Sequence, residues 1–175
     1  MPDHKRKRKP DVAIIGAGRL GTTLATALTA KGYSIKSLVA RRAQSARKAA
    51  ARFDGNVAAL AARQIRSLPS SDLILISVPD DQIGSVAAAL SQLDVDRKPI
   101  VLHTSGALSS AVLAPLGAKG WSTGSVHPLI SVSDPDAPIR GWAAPAGFDA
   151  LRDTMPRLDR PKGIHPIAAP VYPRP

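Results

Sequence analysis

Cysteine is absent from the 175 residues. Disulfides, thiolate metal sites and cysteine nucleophiles are therefore excluded. Aromatic side chains make up only 3% of the chain, so any core must be aliphatic and alanine-rich. That composition favours helices packed on β-branched strands. No apolar run approaches the ~20 residues that cross a bilayer. The N-terminus is basic, with no apolar stretch of signal-peptide type before Asp11. The chain reads as cytoplasmic, with no membrane partner. Negative charge is also scarce: 24 lysines and arginines face 13 aspartates and glutamates, a formal charge of +11.

Much of that excess sits in "KRKRK", Lys5 to Lys9. Such a run can hold nucleic acid or an acidic surface electrostatically. No aromatic residue is interleaved to stack on bases, so residues 1–10 read as a disordered, solvated tail and a nucleic-acid partner is not expected.

Hydrophobic residues make up 44% of the chain, enough for a core. Val12 to Ile15 is short, apolar and bounded by Asp11 and Gly16, as a buried strand is. Leu20, Leu24 and Leu28 mark one helix face, with Gly32 as its C-terminal cap. Strand over Ile35 to Ala40, helix over Ala43 to Phe53 and a short strand within Gly55 to Leu60 follow. "LILISV", Leu73 to Val78, is continuously apolar, like a strand covered on both faces. A helix is predicted over Asp80 to Leu93, with Asp80 or Asp81 as a possible cap. The next strand starts at Ile100. A helix capped by Ser109 then ends near Gly120, bent or shortened by Pro115. Trp121 to Val126 completes the strands. Strand and helix alternate without tight hairpin signals, so the fold class is α/β, a doubly wound parallel sheet. The last 26 residues, 150–175, hold six of the sixteen prolines and read as an irregular, proline-rich tail.

"VAIIGAGRLG" places Gly16, Gly18 and Gly21 between the first strand and the first helix. Gly16 suits the sharp turn. Gly18 lets a pyrophosphate approach the backbone. Gly21 lets the helix pack closely. Free amides and the helix dipole at that point favour an anion, and the strand–turn–helix context is the one a dinucleotide fingerprint requires. Gly16, Ala17, Gly18, Arg19, Leu20 and Gly21 are thus the expected pyrophosphate cradle. After the second strand an NAD site would carry Asp or Glu for the ribose hydroxyls. Here Arg41 and Arg42 stand instead, with Ser45 and Arg47 behind. Arginine neutralises a 2′-phosphate and stacks on adenine, so the expected cofactor is NADP. In "SVPDDQI", Pro79 turns the chain out at the carboxyl edge of the sheet, and Val78 and Pro79 are expected to border the ribose and nicotinamide half.

"VAIIGAGRLG", "LILISVPDDQI", "VLHTSGALSSAVLAPLGAKG" and "GSVHPLISVSDP" come in an order that resembles the Rossmann-like NAD(P)-dependent oxidoreductases carrying a C-terminal domain of unknown function. These are relatives of pyrroline-5-carboxylate reductase, 6-phosphogluconate dehydrogenase and prephenate dehydrogenase. The resemblance covers 11–149 and implies a Rossmann-like dinucleotide-binding domain acting on a small-molecule substrate. It also implies a second, all-helical domain through which full-length relatives form homodimers. This chain departs from that pattern at residue 150. A truncated or frame-shifted product, inactive and monomeric, or a stand-alone cofactor domain is expected.

In the resembling enzymes the "HTSGALSS" region faces nicotinamide and substrate. Hydride transfer needs a group that gives or takes a proton. His103 and Ser105 are the leading catalytic candidates, with Gly106 allowing close approach. His103 has a second reading, as a strand residue bonded to a neighbouring carbonyl. His127, in a His-Pro pair like the one beside the prephenate dehydrogenase active site, stands behind them, with a structural turn as its second reading. His165 lies in the tail and receives no role. No metal site is suggested, nor is a hydrolase elbow. The alternative to an enzyme is a non-catalytic NADP-binding sensor or regulator whose basic tail contacts nucleic acid or an acidic partner.

Overall fold

The computed structural model describes residues 9–127. The expected tails, 1–10 and 150–175, lie outside this range except for Lys9 and Pro10, as does the end of the 11–149 unit. Within it the chain forms six strands: β1 (Asp11–Ile15), β2 (Ser34–Ala40), β3 (Ala58–Ala61), β4 (Leu73–Ile76), β5 (Ile100–His103) and β6 (Ser122–Ser125); the apolar runs of β1, β4 and β5 are buried on both faces, whereas β3 and the polar β6 are largely half-exposed. All neighbours are parallel, in the order β3-β2-β1-β4-β5-β6. The winding reverses between β1 and β4. At such a switch point the connections leave in opposite directions and a crevice opens at the carboxyl ends of the strands.

Among the described residues four α-helices cover the sheet: α1 (Arg19–Ala30), α2 (Ala43–Ala50), α3 (Asp80–Leu90) and the short α4 (Ala114–Gly117). Ala13, Ile15, Ile74, Ile76 and Val101 face Ile83, Ala87 and Leu90 of α3 and Leu116 of α4. Side chains alternate across a strand, so Ile14, Leu38 and Leu75 point to the other side, where α1 and α2 pack with buried Leu24, Leu28, Ala46 and Ala49. α1 ends as its sequence requires. Gly32 takes φ +78°, its amide bonds the Thr29 carbonyl and the Tyr33 amide bonds Leu28, the paired pattern of a glycine-terminated helix.

Some boundaries differ from the sequence reading. α2 stops at Ala50 rather than Phe53, because the Arg52 and Phe53 amides bond three residues back, to Ala49 and Ala50, and tighten the last turn. α3 stops at Leu90 rather than Leu93 for the same reason, with Gln92 bonded to Ala89 and Leu93 to Leu90. Ser109 does cap the segment after β5, its hydroxyl accepting from the Ala111 amide at 3.4 Å. Pro115 falls in the first turn of α4, where a missing N–H costs nothing, and a 3-10 turn, Ser110–Leu113, precedes it. A second 3-10 segment, Ala62–Ser67, was not expected. It carries the crossover from β3 to β4, and the Ala61 amide bonds the Gln64 side chain at 3.0 Å at its start.

Candidate functional site

Every candidate residue lies at the carboxyl edge, at or just beyond the end of a strand. The glycine turn follows β1, Arg41 and Arg42 follow β2, and Val78 and Pro79 follow β4. His103 ends β5, with Ser105 two residues on, and His127 follows β6.

The three glycines meet three different demands. Gly16 has φ +106°, and a Cβ there would stand 2.1 Å from the Ser77 carbonyl oxygen. A Cβ on Gly21 would stand 2.0 Å from the Gly16 carbonyl oxygen and 3.3 Å from the Ile14 side chain. Gly21 is therefore what lets α1 close on the turn and on β1. Among the described residues a Cβ on Gly18 would meet nothing within 4 Å, so its bareness serves no packing there. The amides of Gly16 and Ala17 both donate to the Val39 carbonyl at 2.8 Å. They brace the turn against β2 and leave the outward donors to Gly18, Arg19 and Leu20. α1 has no side-chain cap and no acidic residue in its first turn, so its positive end is uncompensated.

α2 repeats the pattern. Its cap position is Arg42, in extended backbone, without a side-chain capping bond and with no acid in the first turn. Arg41, Arg42 and Ser45 are exposed around that end, whereas Arg47, also exposed, falls in the last turn. α3 differs. Pro79 holds its cap position, so neither Asp80 nor Asp81 is the cap; both lie in the first turn, where their charge offsets the dipole. Val78 is half-buried, and its Cγ1 would be 3.0 Å from a Cβ on Gly16. The Ser77 amide donates to the Ile15 carbonyl at 2.7 Å, joining the ends of β4 and β1.

His103 is fully buried. Its Nε2 lies 3.2 Å from the Ser109 carbonyl, and the buried Nδ1 has no hydrogen-bond partner among the described residues. A carbonyl can only accept, so Nε2 carries a hydrogen. Burial pushes its pKa down, against the pull of the Ser109 carbonyl and the Asp80 carboxylate. The ring thus ties β5 to the start of the 3-10 turn. Ser105 is also buried, and its Oγ accepts from the Ala107 and Leu108 amides, each at 3.1 Å. His127 is exposed, and the amide before it, Val126, donates to the His103 carbonyl at 2.9 Å. Its ring lies against Gly106. Among the described residues no hydrogen bond links His103, Ser105 and His127 to one another.

The Val39 and Ser77 carbonyls, which shape the turn, are contacts that sequence reasoning missed. They belong to the backbone and carry no residue-type signal. A cleft of about 130 Å³ lined by Leu68, Ser71, Leu93, Pro99 and Trp121 lies at the opposite edge, where β4 and β5 begin, and contains none of the candidates. Among the described residues no group of three or more His, Cys, Asp or Glu could hold a metal, and no helix is long and apolar enough to cross a membrane.

A family model described as a Rossmann-like domain matches residues 2–128. No curated protein matches the chain by sequence. Among solved structures, the chain is similar to a protein from Bacteroides fragilis assigned as an NADP oxidoreductase, at 23% identity and TM-score 0.57 over 71% of this chain and 46% of that one. It is similar to prephenate dehydrogenase from A. aeolicus, in complex with hydroxyphenyl propionate and NAD+, at 21% identity and TM-score 0.54 over 71% and 43%. It is also similar to a pyrroline-5-carboxylate reductase from Coxiella burnetii, at 14% identity and TM-score 0.54 over 66% and 42%. At these identities the likeness is one of fold. The chain spans less than half the length of each of these proteins.

Two outcomes are expected. Gly21→Ala, which in an ordinary helix would add about 1 kcal/mol, should here cost about 1–3 kcal/mol, because the methyl meets backbone that cannot yield. Gly18→Ala should change stability by less than about 1 kcal/mol. Urea unfolding of the two variants measures both, and a neutral Gly21→Ala would contradict the packing described. Second, a depressed folded-state pKa at His103 means the unfolded chain binds more protons below the ordinary histidine value. That part of the stability is complete above about pH 6.5 and is lost as pH falls through the folded-state value. Unfolding curves from pH 7.5 to 5 should show this decline, and His103→Gln should flatten it.

Proposed function

Because the chain belongs to the Rossmann-like domain family, we propose that the carboxyl edge of its sheet binds a nicotinamide dinucleotide, NADP in preference to NAD, as the cofactor-binding part of an oxidoreductase. One observation carries the reading. At the switch point Gly18, with no described residue within 4 Å of where its Cβ would be, begins a helix that has no side-chain cap and no acid in its first turn. The residues present fit a diphosphate there. The amides of Gly18, Arg19 and Leu20 would hold it, and the Arg19 side chain, exposed beside them, adds positive charge.

The second uncompensated helix end, at α2, supports NADP. Arg41 and Arg42 would pair with a 2′-phosphate and stack on adenine. The first turn of α2 carries no carboxylate to repel that phosphate or to bond two ribose hydroxyls. Val78 and Pro79 would border the ribose and nicotinamide half. The cofactor named for the A. aeolicus structure and the assignment of the B. fragilis protein support a nicotinamide dinucleotide in general terms.

When bound, the dinucleotide supplies a hydride to, or takes one from, a small polar metabolite. The chain's part is to orient that metabolite and manage the accompanying proton. His127, exposed at the edge, is the group in the better position to exchange a proton with substrate. Ser105, with both amide bonds made to its oxygen, keeps its own hydrogen to donate. The buried His103 acts from behind, holding the loop that carries Ser105.

Calorimetric titration with NADPH and NADH side by side tests this. NADPH is expected to bind the tighter by at least tenfold. Arg41→Asp should erase most of that preference, a loss of about 1.5–3 kcal/mol for one charge-assisted phosphate contact. Equal affinity of the parent chain for both cofactors would overturn the NADP assignment, and no binding of either would overturn the function.

A further inference from the structure

Gly106 was expected to leave room for an approaching ligand. The group that approaches it is part of the chain. A Cβ on Gly106 would stand 2.7 Å from both Cε1 and Nδ1 of His127 and 3.1 Å from its Cγ, and these are its three nearest atoms. The imidazole lies across the spot that any other residue's side chain would fill. Gly106 is not among the glycines with positive φ, so its backbone does not call for glycine. The ring occupies the space it leaves, and a Cβ there would have to push the ring aside.

The surface under the ring is built to hold still. The Thr104 amide bonds the Ile76 carbonyl at 3.0 Å. Ser105 Oγ gathers the amides of Ala107 and Leu108. Farther along, the Ser109 carbonyl is fastened to His103 Nε2. Gly106 therefore sits in a turn tied down before and after it. The chain leading to His127 is tied down as well, through Val126 and the His103 carbonyl. An exposed imidazole on a free segment would sample several rotamers. Here the ring lies against Gly106 while His127 remains exposed at the carboxyl edge.

We propose that Gly106 is a positioning residue that seats the His127 imidazole beside Ser105, so that both can reach one heteroatom of a bound substrate. The inference rests on the function proposed above for that edge. It narrows the substrate to a molecule whose reacting carbon carries an oxygen or nitrogen able to meet two donors at once, a carbonyl or imine in the oxidised form and an alcohol or amine in the reduced form. Gly106 itself need not touch the substrate. A methyl group at that position displaces the ring by the overlap a Cβ would create, and an error on the order of 1 Å at a reacting group is costly.

Nuclear magnetic resonance on the full chain decides the matter. In the unliganded protein, cross-relaxation between the His127 Hε1 proton and the Gly106 Hα protons is expected, and its absence overturns the seat. Saturating NADPH is expected to shift the His127 Hε1 resonance in the parent chain. In Gly106→Ala the shift should fall at least threefold while NADPH affinity, read by calorimetry, stays within twofold. Equal shifts in the two proteins overturn the positioning role. A chain that does not bind NADPH sinks the cofactor reading instead, and the seat is then judged on cross-relaxation alone.

Discussion

The two halves of the sheet meet where Gly16 has no side chain to keep them apart. The Ser77 carbonyl passes over the bare Cα, and the Ser77 amide bonds Ile15 behind it. The glycine turn, the end of β4 and the start of α1 are fixed relative to one another by that contact. Gly21 then closes α1 onto the same turn, from the Gly16 carbonyl side. Two glycines are consumed in holding the corner together, and only the third is left facing outward.

The helix ends carry the electrostatic consequence. In a parallel sheet every helix that follows a strand points its positive end at the same edge. Here α3 is offset by Asp80 and Asp81, whereas α1 and α2 are left bare and have arginines nearby. Positive potential is therefore concentrated over the β1–β2 side and relieved over β4. A ligand with phosphates at one end and a less charged ring at the other would be oriented by that gradient before it made any specific contact.

The strands were legible because β1, β4 and β5 are buried on both faces, which leaves unbroken runs such as "LILI" in the sequence. The glycine turn was legible because its spacing answers a backbone demand that few other residues can meet. Helix ends were less so. α2 and α3 tighten over their last residues, and alanine, arginine and glutamine are compatible with either winding. The 3-10 crossover Ala62–Ser67 escaped notice because six residues are too few to show a period. At the site, residue type marked His103, Ser105 and His127 alike as reactive. The difference lies in burial: the 3-10 turn after β5 covers one imidazole, and β6 leaves the other in the open. The seat at Gly106 depends on a residue 21 positions away and has no local signature.

At the far rim of the sheet, β3 is the outermost strand, and it is only the four residues Ala58–Ala61. Its unpaired side offers another chain very few amides and carbonyls. Arg63 and Arg66 follow at once on the next turn, both exposed. A second copy pairing through its own β3 would bring these cations close to their counterparts. Brevity and repulsion together protect the rim from edge-to-edge aggregation.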